Sequence, residues 1–272
     1  MEMIDLSRLE PQETLNHTSK GNQLKWKCYG YWYKADHMGY EGLAETIVSA
    51  LLGKSTVKYP FVAYEYSQIK YKDRVYSGCK SADFLADGYD LIPLEKLYRK
   101  FTGGSLAVDT AHQGEIKNQI KFLVNFVEQT TGLQNFGQYL TSMLEIDAFF
   151  LNEDRHTNNI AVQYNAADDT YALCPLFDNG LSLLPDTNMD FPLERSLEDC
   201  LKTVEAKPFS RYFDDQLDAA EELYGIQLHF NFSTNDVKAL IDSYRTAYSQ
   251  EICDRCEALI RRQMRHYGYL VQ

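Results

Sequence analysis

Residues 144–162 read Leu-Glu-Ile-Asp-Ala-Phe-Phe-Leu-Asn-Glu-Asp-Arg-His-Thr-Asn-Asn-Ile-Ala-Val. Apolar residues recur at helical spacing through the first part, at Leu144, Ile146, Ala148, Phe149 and Leu151. The helix they imply runs into a polar knot, Asn152-Glu153-Asp154-Arg155-His156-Thr157-Asn158-Asn159. Ile160-Ala161-Val162 then follows as a short strand-like run. A buried helix that delivers Asp, Arg, His and Asn into one tight turn points to function, because loops carry chemistry when a rigid scaffold positions them. A second apolar run, Tyr171 to Phe177, ends in Asp178-Asn179-Gly180. Two strands joined by a polar turn over 165–170 would form a hairpin, with Asn159 at its start and Asp178 at its end.

That placement suits a magnesium–phosphate site. A hard cation bridging phosphates takes oxygen ligands, usually one or two carboxylates or amides, with water and phosphate completing the shell. Asn159 and Asp178 supply such oxygens from neighbouring strand ends, and Asp154 is placed to accept a proton from an attacking hydroxyl. An Asp-x4-Asn spacing followed later by Asp-x-Gly forms the catalytic half of protein kinases. Here the histidine follows the aspartate, as Asp154-Arg155-His156-x-x-Asn159. In this order the motif resembles the phosphatidylinositol kinases and, more closely, the bacterial HipA-like serine/threonine kinases.

Composition narrows the alternatives. The 272 residues are 44% apolar and 13% aromatic, enough for a sizeable core and against disorder. A formal charge of −12 disfavours a general nucleic-acid binder, which needs a basic face. Six cysteines lie scattered, without a disulfide framework. Cys253-x-x-Cys256 falls on a helical pattern with no second pair or nearby His, so it reads as two thiols on a helix, not as a zinc site. No signal peptide and no run of membrane-spanning length is visible, so the expectation is a soluble, cytoplasmic protein without an integral membrane segment.

Residues 1–16 read as an extended or loosely packed leader. From His17 to Asp36 the chain reads as a hairpin turning near Gly30, with alternating aromatics as the strand signal. Ser19-Lys20-Gly21 is a small and polar segment whose backbone amides could cradle phosphates, although a plain turn fits it equally well. Lys34 ends a strand and is followed by a turn and a helix over 40–52. Kinases hold a strand lysine against the phosphates with a glutamate from the next helix; Glu45 is the candidate partner here, and Glu41 the alternative. Residues 60–66 and 72–80 read as two more strands around a polar turn at 67–71. After a polar, glycine-containing loop over 101–114, helices are expected over 115–130 and 136–150. A long irregular segment over 185–211 follows the Asp-Asn-Gly turn, with three last helices over 213–224, 233–247 and 249–267. Such a loop is usually functional or mobile.

The resemblance to HipA-like kinases covers the chain from about residue 17 to the last helices. It implies an α+β, two-lobed protein-kinase-like fold, with a small antiparallel β N-lobe over 1–85 and a mainly helical C-lobe over 86–272. It also implies ATP and Mg²⁺ as cofactors and a serine or threonine of a protein as acceptor. By that likeness Asp154 is the catalytic base, Arg155 and His156 belong to the catalytic turn, and Asn159 and Asp178 hold the metal. Ser19, Lys20 and Gly21 fall at the phosphate loop, and Lys34 with Glu45 at the nucleotide lysine pair. The passage over about 79–85 falls at the hinge that holds adenine, which brings in Cys79, Lys80 and Ser81.

Two departures stand out. Asp178-Asn179-Gly180 replaces Asp-Phe-Gly, and the chain starts almost at the phosphate loop, as a short single-domain member would. An antitoxin-like partner, known among full-length relatives, is not indicated by any residue here. The rivals are a lipid or small-molecule kinase and a nucleotide-binding pseudokinase. The net-acidic 185–211 segment disfavours docking on an anionic membrane, and every position needed for catalysis is filled.

Overall fold

The computed structural model describes residues 3–12 and 23–272. Its first sheet contains β1 (Met3–Asp5), β2 (Lys25–Cys28) and β3 (Tyr31–Ala35). After the helix α1 (Glu41–Leu52) come β4 (Glu65–Tyr71) and β5 (Arg74–Ala82), giving the spatial order β1-β4-β5-β3-β2. Tyr29 and Gly30 both have positive φ, 50° and 78°, which matches the tight turn that right-twisted hairpin strands prefer. One face of the sheet closes over Leu6, Trp26, Tyr33, Ala35, Ile69 and Tyr71.

The other face takes α1, and two glycines set how close it comes. A Cβ on Gly42 would stand 2.6 Å from the Gly78 backbone, and one on Gly78 would stand 2.1 Å from the Lys34 carbonyl oxygen. Any side chain at either position would push α1 away from β5, or β5 away from β3. α1 is apolar at Leu43, Ala44, Ile47, Val48, Leu51 and Leu52, yet it also buries Glu41 and Glu45. Buried carboxylates need partners, and those of Glu45 define the candidate site below.

The helical lobe begins with β6 (Tyr89–Pro93), α2 (Leu94–Thr102), α3 (Leu106–Ala111), α4 (Ile116–Thr131) and α5 (Phe136–Phe150). β7 (Ala161–Asn165) and β8 (Thr170–Leu173) form the hairpin, and β6 joins it in a sheet of order β6-β7-β8. α6 (Leu197–Leu201), α7 (Phe213–Tyr224), α8 (Thr234–Asp242) and α9 (Gln250–His266) complete the lobe. Of α5, all residues but Gln138 are buried, as expected of a helix that is apolar nearly all round. Phe149 packs on Phe150, Phe230, Phe232 and Tyr267. Each such ring contributes about 1.5–3 kcal/mol by burial, so α5 is a firm base for the turn that leaves its end.

Several boundaries differ from the sequence expectation. The leader supplies β1, which runs parallel to β4 through Met3↔Gln68, so the sheet is not wholly antiparallel. The second hairpin turns at 72–73 rather than 67–71, because Ser67, Ile69 and Tyr71 alternate inward along β4. The aromatic residues before it serve another purpose: Val62 donates its N–H to the Leu176 carbonyl, tying 60–64 to the segment after β8. The loop at 101–114 contains α3, and the 185–211 segment contains α6, each opened by a serine cap, Ser105 and Ser196. A Ser233–Asp236 capping box opens α8. Cys253 and Cys256 are buried, unpaired thiols on α9. No helix among the described residues is long and apolar enough to cross a membrane.

Candidate active site

Lys34, near the end of β3, is the first node. Its Nζ lies 2.5 Å from Glu45 Oε1 and 2.9 Å from Asp178 Oδ1, with the Tyr64 hydroxyl at 3.4 Å. Burial disfavours its ammonium form, but the Asp178 and Glu45 carboxylates outweigh that and raise its pKa well above the ordinary value. Burial likewise acts to raise Asp178, and Lys34 more than reverses it, with help from Lys25, holding the carboxyl well below its usual range. Lys34 is therefore a cation and Asp178 an anion at neutral pH. The second oxygen of Glu45 accepts the backbone N–H of Asn179 at 2.8 Å, so α1 grips both the lysine and the Asp178-Asn179 turn. Glu41, the alternative partner, instead accepts backbone N–H groups from His37, Met38 and Gly39 at the start of α1.

The second node is the turn after α5. Leu151 takes a left-handed conformation (φ 58°), ending the helix abruptly, and the Asn152 N–H still reaches the Asp147 carbonyl. Asn152 Oδ1 then accepts the Asp154 N–H, and Asn159 Nδ2 donates to the Asp154 carbonyl at 2.9 Å and to Asp154 Oδ2 at 3.0 Å. Spending both amide protons on Asp154 fixes which way the Asn159 amide oxygen faces. α2 braces the far side, because buried Glu95 accepts the Thr157 hydroxyl at 3.0 Å. His156 Nδ1 accepts the Asn158 N–H, while its Nε2 stands 3.6 Å from Asp154 Oδ1. Burial lowers the His156 pKa despite the pull of Asp154, so the ring is neutral at neutral pH and braces the turn.

Arg155 is grouped by its motif with the catalytic residues, but its position is different. The guanidinium is buried and all five of its N–H groups are spent. Nε and one Nη2 proton go to the two oxygens of Asp147, at 2.9 and 3.0 Å. Nη1 donates to the Asn159 and Phe177 carbonyls at 3.1 and 3.0 Å, and Nη2 also donates to Asn179 Oδ1 at 3.1 Å. Burial works against its charge, and Asp147 more than restores it, leaving the pKa raised. Arg155 thus positions the two strand ends that carry Asn159 and Asp178, with no donor left for a substrate.

Cys79, Lys80 and Ser81 also depart from the sequence assignment. They lie inside β5, paired with Lys34, Tyr33 and Trp32 of β3, and the chain crosses to the second sheet only over 83–88. Their backbone belongs to the ladder, so they are not the hinge. Cys79 does contribute a wall, packing with Val62 and Tyr64 in an apolar cluster flanked by Phe84 and Phe177, whose rings are 5.5 Å apart. Ser19, Lys20 and Gly21 lie outside the described residues.

Asn159 and Asp178 fit a hard cation that takes its remaining ligands from phosphate. Both offer oxygen, and both are held by the Arg155 clamp. Among the described residues no group of three or more His, Cys, Asp or Glu side chains converges on one point. A cavity of 290 Å³ adjoins the turn, lined by residues including Glu153, Asp190, Arg195, Glu205 and Lys207.

Sequence reasoning passed over Asp147, Tyr64, Phe177, Asn179 as a buried link, and Lys207. Only Asp147 carried a usable signal: a carboxylate in the apolar helical run Leu144–Leu151, two residues after Glu145, has to be paired.

No protein-family model matches the chain, and no curated protein sequence does. Among solved structures, the proinflammatory kinase CtkA of Helicobacter pylori superposes with a TM-score of 0.65, covering 97% of this chain and 94% of that one at 15% identity. The fold of this chain is therefore kinase-like, with a curled β lobe and a helical lobe.

Proposed function

We propose that the chain is an ATP-dependent phosphotransferase, a HipA-like serine/threonine kinase that moves the γ-phosphoryl group of ATP to a protein hydroxyl. The convergence of Lys34 and Glu45 from the first lobe on Asp178 of the second, with the turn of Asp154 and Asn159 tied beside it through Arg155, carries this reading. The fold neighbour's description as a kinase supports it. Lys34, kept charged by Glu45, orients the phosphates. Asn159 and Asp178 would hold Mg²⁺, which when bound offsets charge on the phosphate oxygens. The apolar cluster of Val62, Tyr64, Cys79, Phe84 and Phe177 would take the base.

Asp154, fixed by Asn152 and Asn159, accepts the proton of the incoming hydroxyl. The γ-phosphorus–oxygen bond to the leaving diphosphate breaks as the bond to the acceptor oxygen forms. Catalysis of this type is mostly positioning and electrostatics, which accords with how many buried hydrogen bonds serve only to hold the loop. The net-acidic segment over 185–211 favours a basic stretch of protein as acceptor.

The test is incubation with γ-labelled ATP, Mg²⁺ and a generic basic protein, alongside Asp154→Ala and Asp178→Ala. Label on serine or threonine that each substitution lowers by roughly 10²-fold or more supports the reading. Absence of label, with MgATP binding lost only in Asp178→Ala, would instead indicate a lipid kinase or a nucleotide-binding protein without turnover.

A further inference from the structure

We infer that Lys207, which no kinase motif in the sequence singles out, is a catalytic residue that contacts the phosphoryl group in transfer from the acceptor side. This rests on the phosphotransfer reading above. Lys207 sits between α6 and α7, and its Nζ stands 3.5 Å from Asp154 Oδ1, the oxygen that His156 also faces. At that length the contact is an ion pair without a committed hydrogen bond. The lysine side chain is 39% exposed against 11% for Asp154, and so open a pair contributes little to stability. A structural explanation for the lysine is correspondingly weak.

Its backbone, by contrast, is held firmly. The buried amide of Gln216 on α7 donates from Nε2 to the Lys207 carbonyl at 3.0 Å and accepts the Phe209 N–H at 3.3 Å. Phe209 is buried in the main core, and Ala206 donates its N–H to the Arg211 carbonyl at 2.9 Å. A mobile ammonium on a fixed stem is therefore aimed at the proposed base. Lys207 also lines the 290 Å³ cavity with Glu153, Asp190, Arg195, Thr203 and Glu205, and none of Lys34, Tyr64 or Asp178 lines it. Asp154 does not line it either, so the cavity adjoins the catalytic turn through Glu153 and Lys207.

The charge balance gives the lysine its task. The transferred group carries negative charge on three oxygens, and Asp154 faces it as a second anion. Lys34 lies on the leaving side. Lys207 supplies a cation on the attacking side, as a point charge with three donors. During transfer the acceptor hydroxyl proton passes to Asp154, the acceptor oxygen bonds to phosphorus, and the bond to the diphosphate oxygen breaks. Lys207 takes no part in the proton transfer.

The experiment compares full-length wild type with Lys207→Ala and Lys207→Arg. Steady-state transfer gives kcat and KM for ATP. Calorimetry gives affinity for MgADP alone and for MgADP with aluminium fluoride, which mimics the phosphoryl group in flight. Lys207→Ala should lower kcat about 10²-fold, while KM for ATP and MgADP affinity stay within about twofold. Affinity for the aluminium fluoride complex should fall at least roughly 10-fold, and Lys207→Arg should recover part of each loss. A kcat within about threefold of wild type, or equal weakening of both complexes, overturns the inference while leaving the transfer reading intact. A wild-type protein that binds MgADP and transfers nothing overturns both.

Discussion

Arg155→Met should behave as a stability mutation first and an activity mutation second. The substitution deletes five donors at once and leaves the Asp147 carboxylate, which has no solvent exposure, with only the Asn152 amide beside it. Removing one partner of a buried ion pair costs about 3–5 kcal/mol, most of it the uncompensated charge left behind. That is a large part of the roughly 5–15 kcal/mol by which a domain is stable. At about 2–4 °C per kcal/mol for a chain of this size, Tm should fall by roughly 6–20 °C. Arg155→Met combined with Asp147→Leu removes the stranded charge and should recover more than half of the loss, a coupling expected of residues in contact. Thermal unfolding followed by circular dichroism reads both values. A single variant whose Tm stays within about 2 °C of wild type, yet which has lost transfer, would refute the clamp and return the guanidinium to the chemistry.

Two other expectations concern the frame around the site. Burial pushes Glu145 up to about 8, the Gln227 and Leu228 N–H groups offsetting only part of it, and burial with nearby Glu41 raises Asp36 to about 7. Both groups keep a proton that the unfolded chain releases near its ordinary carboxylate pKa, so their contribution to stability is present at low pH and lost as pH rises through 7 and 8. His156, with its lowered pKa, works in the opposite direction. Tm should therefore fall between about pH 4.5 and 8, and Glu145→Gln should flatten the slope; an unchanged slope in that variant would show that Glu145 does not titrate there. Gly78→Ala places a methyl 2.1 Å from the Lys34 carbonyl oxygen. It should cost about 1–3 kcal/mol in urea unfolding and weaken MgATP binding by shifting the strand that carries Lys34. Unaltered stability and binding would mean that β3 and β5 can part freely.

Local patterns made much of this legible. The helix into the polar turn, the hairpin after it, and the strand lysine with a glutamate one helix later are all read over short spans, where period and spacing are strong signals. What escaped notice was non-local. β6, a five-residue strand, forms only because β7 lies beside it. The aromatic run at 60–64 resembles a strand by propensity, but its backbone pairs with the segment at 174–177 across the cleft. Lys207 is fifty-three residues beyond Asp154 in the sequence, and no spacing rule could join them. Arg155 shows the converse limit. Its motif position was correct, while its burial and its five acceptors decide what it does.

The replacement of the usual Phe by Asn179 changes how such a site can be controlled. A phenylalanine at that position can swing between pockets, because apolar packing does not fix direction. Asn179 is buried, donates its N–H to Glu45 and accepts Arg155 on its side-chain oxygen. Glu45 in turn holds Lys34, and Arg155 holds Asp147 at the end of α5. The path from α1 to α5 therefore runs through directional, charge-assisted bonds, and moving any member strands a buried charge or donor. Such an arrangement favours one fixed geometry over two of similar energy. Lys207, which pairs with Asp154, belongs to none of these bonds.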